Sequence, residues 1–104
     1  MAVADINPKA LQTTVSELKK RHPNVDVKAI EMDASNEQSI EEGIRETAKT
    51  FGSIEIAVNN AGIAGPTIPT TEVATSDWSK VLNVNLTGVW MCQRAQIQQM
   101  LKQE

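Results

Sequence analysis

Short apolar runs alternate with amphipathic stretches along this 104-residue chain, and that alternation constrains its fold more than any other feature. Residues 2–6 (Ala-Val-Ala-Asp-Ile) read as a short strand. Asn7 followed by Pro8 is a helix start: a side-chain acceptor for free N–H groups, then a residue whose φ is already helical. Leu11, Val15 and Leu18 line one face of that helix until His22-Pro23 stops it. Val25, Val27, Ala29 and Ile30 predict a second strand ending at Met32-Asp33. Ser35 with Gln38 three residues on reads as a capping box for a second helix. Its buried stripe would be Ile40, Ile44, Ala48 and Phe51, with Gly52 as the C-terminal cap. Residues 54–60 (Ile-Glu-Ile-Ala-Val-Asn-Asn) predict a third strand that finishes in Ala61-Gly62. Glycine, proline and threonine then mark a loop over 63–75, and helix resumes near Thr75 or Ser76. The run 81–89 is rich in poor helix formers, which predicts a break between a short helix and a longer one.

The order strand–helix–strand–helix–strand–loop–helix predicts an α/β fold, a parallel sheet with flanking helices, in one domain over 1–104. Ligands of such sheets bind beyond the carboxyl ends of the strands. Composition narrows the partners. Ten basic against thirteen acidic side chains leave a net charge of −3, which argues against nucleic acid or an anionic membrane. No run approaches the roughly 18 apolar residues of a membrane span, and the N-terminus lacks the layout of a signal peptide. A single cysteine, Cys92, excludes a disulfide framework and fits a reducing compartment, so a cytoplasmic location is expected. No metal-ligating cluster is expected. The chain has no tyrosine and one histidine, His22, which leaves almost nothing for a tyrosine acid or a placed histidine base.

Asp5 and Asp33 stand at the ends of the first two strands. An acid there can accept hydrogen bonds from both hydroxyls of a ribose. Asp5 can equally help cap the helix that begins at Pro8, and Asp33-Ala34-Ser35 is also ordinary turn chemistry. Asn59-Asn60-Ala61-Gly62 ends an apolar strand in two amides and two tiny residues, which lets something flat lie close to the backbone or simply makes a tight turn. Asn85, beside Thr87 and Gly88, is an amide that competes with the helix for backbone hydrogen bonds. Trp78 and Trp90 read as core packing, His22 as a solvated helix end, and Cys92 as without a role.

Together these residues resemble the short-chain dehydrogenase/reductase family. Val3-Ala4-Asp5-Ile6, Asp33-Ala34-Ser35, Val58-Asn59-Asn60-Ala61-Gly62 and Trp78-x-x-Val81-x-x-Val84-Asn85-Leu86-x-Gly88 occur there in this order and spacing. The resemblance implies a partial Rossmann-type, doubly wound sheet. It implies that Asn60, Ala61 and Gly62 lie against the adenosine half of a nicotinamide cofactor. It also implies that Asp33, with Ala34, reads the adenine amino group. Asp5, next to Ile6, matches the acid that favours NAD over NADP by repelling a 2′-phosphate. Asn85 matches the catalytic asparagine, whose backbone carbonyl at a helix break holds a water of the proton relay.

The family's glycine-rich turn, Thr-Gly-x-x-x-Gly-x-Gly, is not formed by Gly43, Gly52, Gly62, Gly65 or Gly88, and its Ser and Tyr-x-x-x-Lys are missing. The chain therefore reads as an internal piece, truncated at both ends, of an oxidoreductase acting on a small alcohol or carbonyl substrate, and as inactive by itself. A non-catalytic binding module of the same ancestry is the alternative, and an unrelated flavodoxin-like domain fits the ordered motifs poorly. On the last helix, Leu86, Val89, Trp90, Ile97, Met100 and Leu101 form a stripe expected to pack on the sheet. Met91 and Ala95 fall opposite and are expected to form a seam between subunits of a homo-oligomer. In the resembled family a further strand lies between those matching 2–6 and 54–60. An empty slot is expected there, with a marginally stable isolated chain.

Overall fold

The computed structural model describes residues 1–103. Its elements are β1 (Ala2–Asp5), α1 (Pro8–Arg21), β2 (Lys28–Glu31), α2 (Glu37–Phe51), α3 (Thr75–Leu82) and α4 (Val89–Met100). A 3₁₀ turn at Thr70–Glu72 precedes α3, and a π-helical segment, Asn83–Gly88, joins α3 to α4. β1 and β2 pair in parallel, Ala2 opposite Lys28 and Asp5 opposite Glu31, as the alternation requires. The Asn7 side chain accepts from the N–H groups of Lys9 and Ala10, both at 3.0 Å, and Pro8 opens α1. α1 lies across both strands and buries Leu11 and Val15. α2 covers β2, with Gly43 against Ile30 and Met32, and α4 packs on α2. Ile40, Cys92 and Ala95 form the centre of that second layer, with Met32, Ala34, Ile44 and Met91 around them. Gly52 ends α2 at a φ of 86°, a conformation that a side chain would strain.

Several expectations are corrected. β2 starts at Lys28, because Val25 is drawn into a turn in which its N–H donates to the His22 carbonyl at 3.1 Å. The cap of α2 is Asn36, which accepts from the Ser39 N–H at 2.9 Å. Ser35, whose N–H and hydroxyl both donate to Asp33, lies one residue before the cap. Residues 54–60 form no strand. A strand exists only as half of a ladder, and β1 is bonded on one edge alone, to β2. The two segments do not close on each other, and Ile56 and Val58 stay 84% and 82% exposed.

The faces of α4 are the reverse of the expected ones. Its buried residues are Cys92, Ala95 and Gln96, continuing from Gly88, with Met91 packed on the core. Leu86, Ile97 and Leu101 are exposed, as are Trp90 (54%) and Trp78 (61%). Small residues let α4 approach α2 closely, so the bulky stripe is turned outward. Met91 and Ala95, expected on a subunit seam, instead pack in the chain's own core. The predicted break at 81–89 is the π segment, and its flanking residues stay in the right-handed helical region.

The shape reflects a sheet of only two strands. The radius of gyration is 15.7 Å, where a compact chain of this length has about 13 Å. The accessible surface is 7647 Å² against about 5,800 Å² for a compact monomer of this size. Among the described residues, no helix is long and apolar enough to cross a membrane.

Two stability predictions follow from the packing. Urea denaturation of the 104-residue chain should give a broad transition with an unfolding free energy below the ~5 kcal/mol of ordinary domains; a sharp transition above that value would contradict it. A Cβ added at Gly88 would lie 2.2 Å from the backbone oxygen of Ala34, whereas one at Gly43 meets the movable Met32 sulfur at 2.8 Å. Gly88→Ala should therefore cost about 1–3 kcal/mol. Gly43→Ala should be nearly neutral, because a gain of about 1 kcal/mol in helix propensity offsets the repacking.

Candidate functional site

The carboxyl ends of the two strands are built alike. Asp5 closes β1, and its Oδ1 accepts from the Asn7 N–H at 2.8 Å. Asp33 follows β2, and its Oδ1 accepts from the Ser35 N–H at 2.8 Å and the Ser35 hydroxyl at 2.7 Å. Each is an Asx turn, in which the side chain bonds the backbone two residues on. Each pins one carboxylate oxygen and leaves Oδ2 without a hydrogen-bond partner among the described residues. The Met32 N–H donates to the Asp5 carbonyl at 3.1 Å, so the ladder carries both acids to the same end of the sheet. The Ser39 hydroxyl accepts from the Asp33 N–H at 2.9 Å and ties this turn to α2. The Ser35 hydroxyl, and then its N–H, hold the Asp33 carboxyl below the usual carboxylate range.

The second half of the site hangs on the π segment. Asn85 Oδ1 accepts from the Ile63 N–H at 2.8 Å, and its Nδ2 donates to the Ile63 carbonyl at 2.9 Å. This sets Asn60, Ala61 and Gly62 immediately before a clamped residue, with Gly62 beside the Asn85 amide. Three residues on, Gly88 presses against the Ala34 carbonyl. One turn of widened helix thus touches both the Asp33-Ala34 turn and the 60–63 segment. Asp5, Ile6, Asn60, Ala61, Gly62 and Asn85 are exposed, and Asp33 and Ala34 are half-buried. An open hollow next to Gly62 is lined by Ile63, Gly65, Pro66, Asp77 and Lys80.

Sequence reasoning had named these residues but missed what holds them. Gly88 was visible in the motif, yet its contact with Ala34 joins residues 54 positions apart, which no local pattern signals. Gln96 carries no local signal in the sequence, yet it is buried and bonded to Asn59. Burial pushes the Cys92 thiol up, so it is a packing residue with no activated thiolate. Among the described residues no group of three His, Cys, Asp or Glu side chains is placed to hold a metal.

Comparison with known proteins identifies the family and the fold. The family model described as short chain dehydrogenase matches residues 1–104. A chanoclavine-I dehydrogenase of Penicillium roqueforti is 34% identical over 107 aligned positions, covering 96% of this chain and 40% of the relative. The crystal structure of a levodione reductase superposes with a TM-score of 0.93 at 27% identity, over 97% of this chain and 39% of that one. An NAD⁺-bound xylitol dehydrogenase superposes with a TM-score of 0.91 at 26% identity, over 97% and 38%. The chain thus spans about 40% of the length of these three proteins, and its sheet and helices are part of the same Rossmann-type α/β fold.

The lowered Asp33 pKa makes a pH prediction. A carboxyl held down in the folded chain adds stability above its unfolded value, and this is lost as pH falls through its folded value. NMR titration should place the Asp33 midpoint below that of an ordinary aspartate, and Ser35→Ala should move it back up. An unmoved midpoint in the variant would refute the role given to Ser35.

Proposed function

The chain belongs to the short-chain dehydrogenase/reductase family, and from that premise we propose that its strand ends form the adenosine half of a nicotinamide-dinucleotide site. The whole protein would be an oxidoreductase acting on a small alcohol or carbonyl compound. The observation that carries this reading is the pair of Asx-anchored acids, Asp5 and Asp33, each with a free oxygen at one end of a parallel sheet. Oriented acceptors of this kind suit donors fixed on a rigid ligand, such as ribose hydroxyls and an adenine amino group.

In this reading Asp5, with Ile6 beside it, accepts from the ribose hydroxyls, and its charge opposes a 2′-phosphate, which favours NAD over NADP. The NAD⁺ bound to the similar xylitol dehydrogenase supports that preference. Asp33 takes the adenine amino group with Ala34 alongside. Asn60, Ala61 and Gly62 offer a surface without large side chains against the adenosine. The chemistry that a bound nicotinamide supplies is hydride transfer. Asn85 is assigned a catalytic part through its backbone carbonyl, which would position a water, because its side chain is already committed to Ile63. Hydride chemistry also needs a placed proton donor or acceptor. This chain has no tyrosine for that task, so we propose that the 104-residue polypeptide alone is inactive. The same absence favours, as a second reading, a module that binds the nucleotide without turning anything over. A cytoplasmic location fits the single buried cysteine.

The test is NMR titration of the 104-residue chain, in sucrose to favour its folded state, with adenosine 5′-monophosphate and its 2′-phosphorylated counterpart. Millimolar binding is expected, with shifts at Asp5, Asp33 and residues 60–62 and about tenfold preference for the ribose without the 2′-phosphate. Asp5→Ser should reduce that preference to about twofold. Shifts confined to other residues would overturn the site. Nicotinamide-dependent turnover above a heat-treated control would overturn the inactivity.

A further inference from the structure

Residues 54–63 have no strand neighbour, yet three side-chain amides from a single helical rod hold them. Gln103, just past α4, accepts from the Ile54 N–H at 3.0 Å and donates to the Ile54 carbonyl at 2.6 Å. Gln96 and Asn59 exchange two hydrogen bonds side chain to side chain, at 2.9 and 2.7 Å. Asn85 exchanges two with the Ile63 backbone. The contacts run in opposite order along the two partners, so rod and segment are antiparallel. The end-to-end lengths match as well. From 85 to 103 a helix rises about 27 Å, and from 54 to 63 an extended chain covers about 30 Å. Gln103 and Asn85 each offer one donor and one acceptor to one residue's N–H and C=O, which is what a neighbouring strand would do.

The middle contact differs from the outer two. Gln96 is 8% exposed and is the one buried polar residue among those described. A buried amide without a partner costs about 1–3 kcal/mol, so the segment is held at the register that satisfies it. A slip of one residue would set there either Val58, whose side chain has no polar atom, or Asn60, whose amide would then be drawn out of the tripeptide at the site. Asn59 immediately precedes Asn60, Ala61 and Gly62, while Ile63, clamped by Asn85, immediately follows. We propose that Gln96 is a positioning residue: through Asn59 it fixes the register of the tripeptide at the site, with Gln103 as the remote end of the same splint. This rests on the cofactor reading only for its consequence in binding, because the register itself is a property of the chain.

The experiment compares backbone ¹⁵N order parameters and adenosine 5′-monophosphate titrations of the 104-residue chain and its variants in sucrose. In the parent chain residues 59–62 should show rigid values of about 0.85. In Gln96→Met they should fall below about 0.6, with α2 and α4 unchanged and nucleotide affinity reduced about tenfold. The exchange Asn59→Gln with Gln96→Asn rebuilds an amide pair of the same total length and should restore most of both. Gln103→Met should loosen residues 53–55 and leave the affinity within twofold. Unchanged order at 59–62 in Gln96→Met would overturn the proposal. So would an equal loss of order in α2 and α4, which would make Gln96 merely structural, and so would an exchanged pair that restores nothing. If the parent chain takes up no nucleotide, the cofactor reading fails, and the order parameters alone decide the role of Gln96.

Discussion

The joining of the Asp33-Ala34 turn to residues 60–63 depends on one stretch of distorted helix, Asn83–Gly88. Its sequence, Asn-Val-Asn-Leu-Thr-Gly, is poor in helix formers and has side chains that compete for backbone groups. A regular α-helix would gain little there, so the wider π winding costs little. In that winding Asn85 reaches Ile63, and Gly88 lies against the Ala34 carbonyl, where a methyl group has no room. These two contacts join the segments that follow β2 and α2, which share no hydrogen bond of their own. π turns recur at functional sites, and here the cause is concrete: a regular turn would present other residues to 34 and 63.

The rod that carries this turn works with two unlike faces. Toward α2 it shows Cys92 and Ala95, small enough to bring the helices close. Toward residues 54–63 it shows amides, which replace the ladder that β1 does not supply. Amides are a more specific substitute than apolar contact. A hydrophobic strip tolerates sliding, whereas a buried donor and acceptor must each meet a partner. The site segment therefore inherits its register from helix α4 and not from the sheet.

Local signals were legible in the sequence and distant ones were not. Asn7-Pro8, Gly52 and the acids at the strand ends express chemistry within a few residues, and the parallel pairing follows from the alternation of strand and helix. The failures share one cause, which is a partner that the local sequence does not reveal. Residues 54–60 have the composition of a strand, but a ladder needs a second chain segment. Ser35 is a good cap residue, but it belongs to the turn closed by Asp33, and Asn36 caps the helix one residue later. On α4 the large side chains suggested the core, and the close approach of α2 selected the small ones instead. The order of motifs identified the family because such order survives where individual contacts cannot be seen.

Two kinds of rigidity meet at the site. Asp5 and Asp33 are oriented by Asx turns closed within two residues. Such turns need no core, so they persist even in a chain with as little buried interior as this one. Asn60, Ala61 and Gly62 are positioned by side chains 22 and 37 residues away in sequence, so their placement is lost as soon as α4 lifts from α2. The recognition of ribose and adenine is thus local, and the flat surface against which they would rest is tertiary. A chain that exposes so much of its sheet edge keeps the first and puts the second at risk. The π turn, touching both, is where loss of one reaches the other.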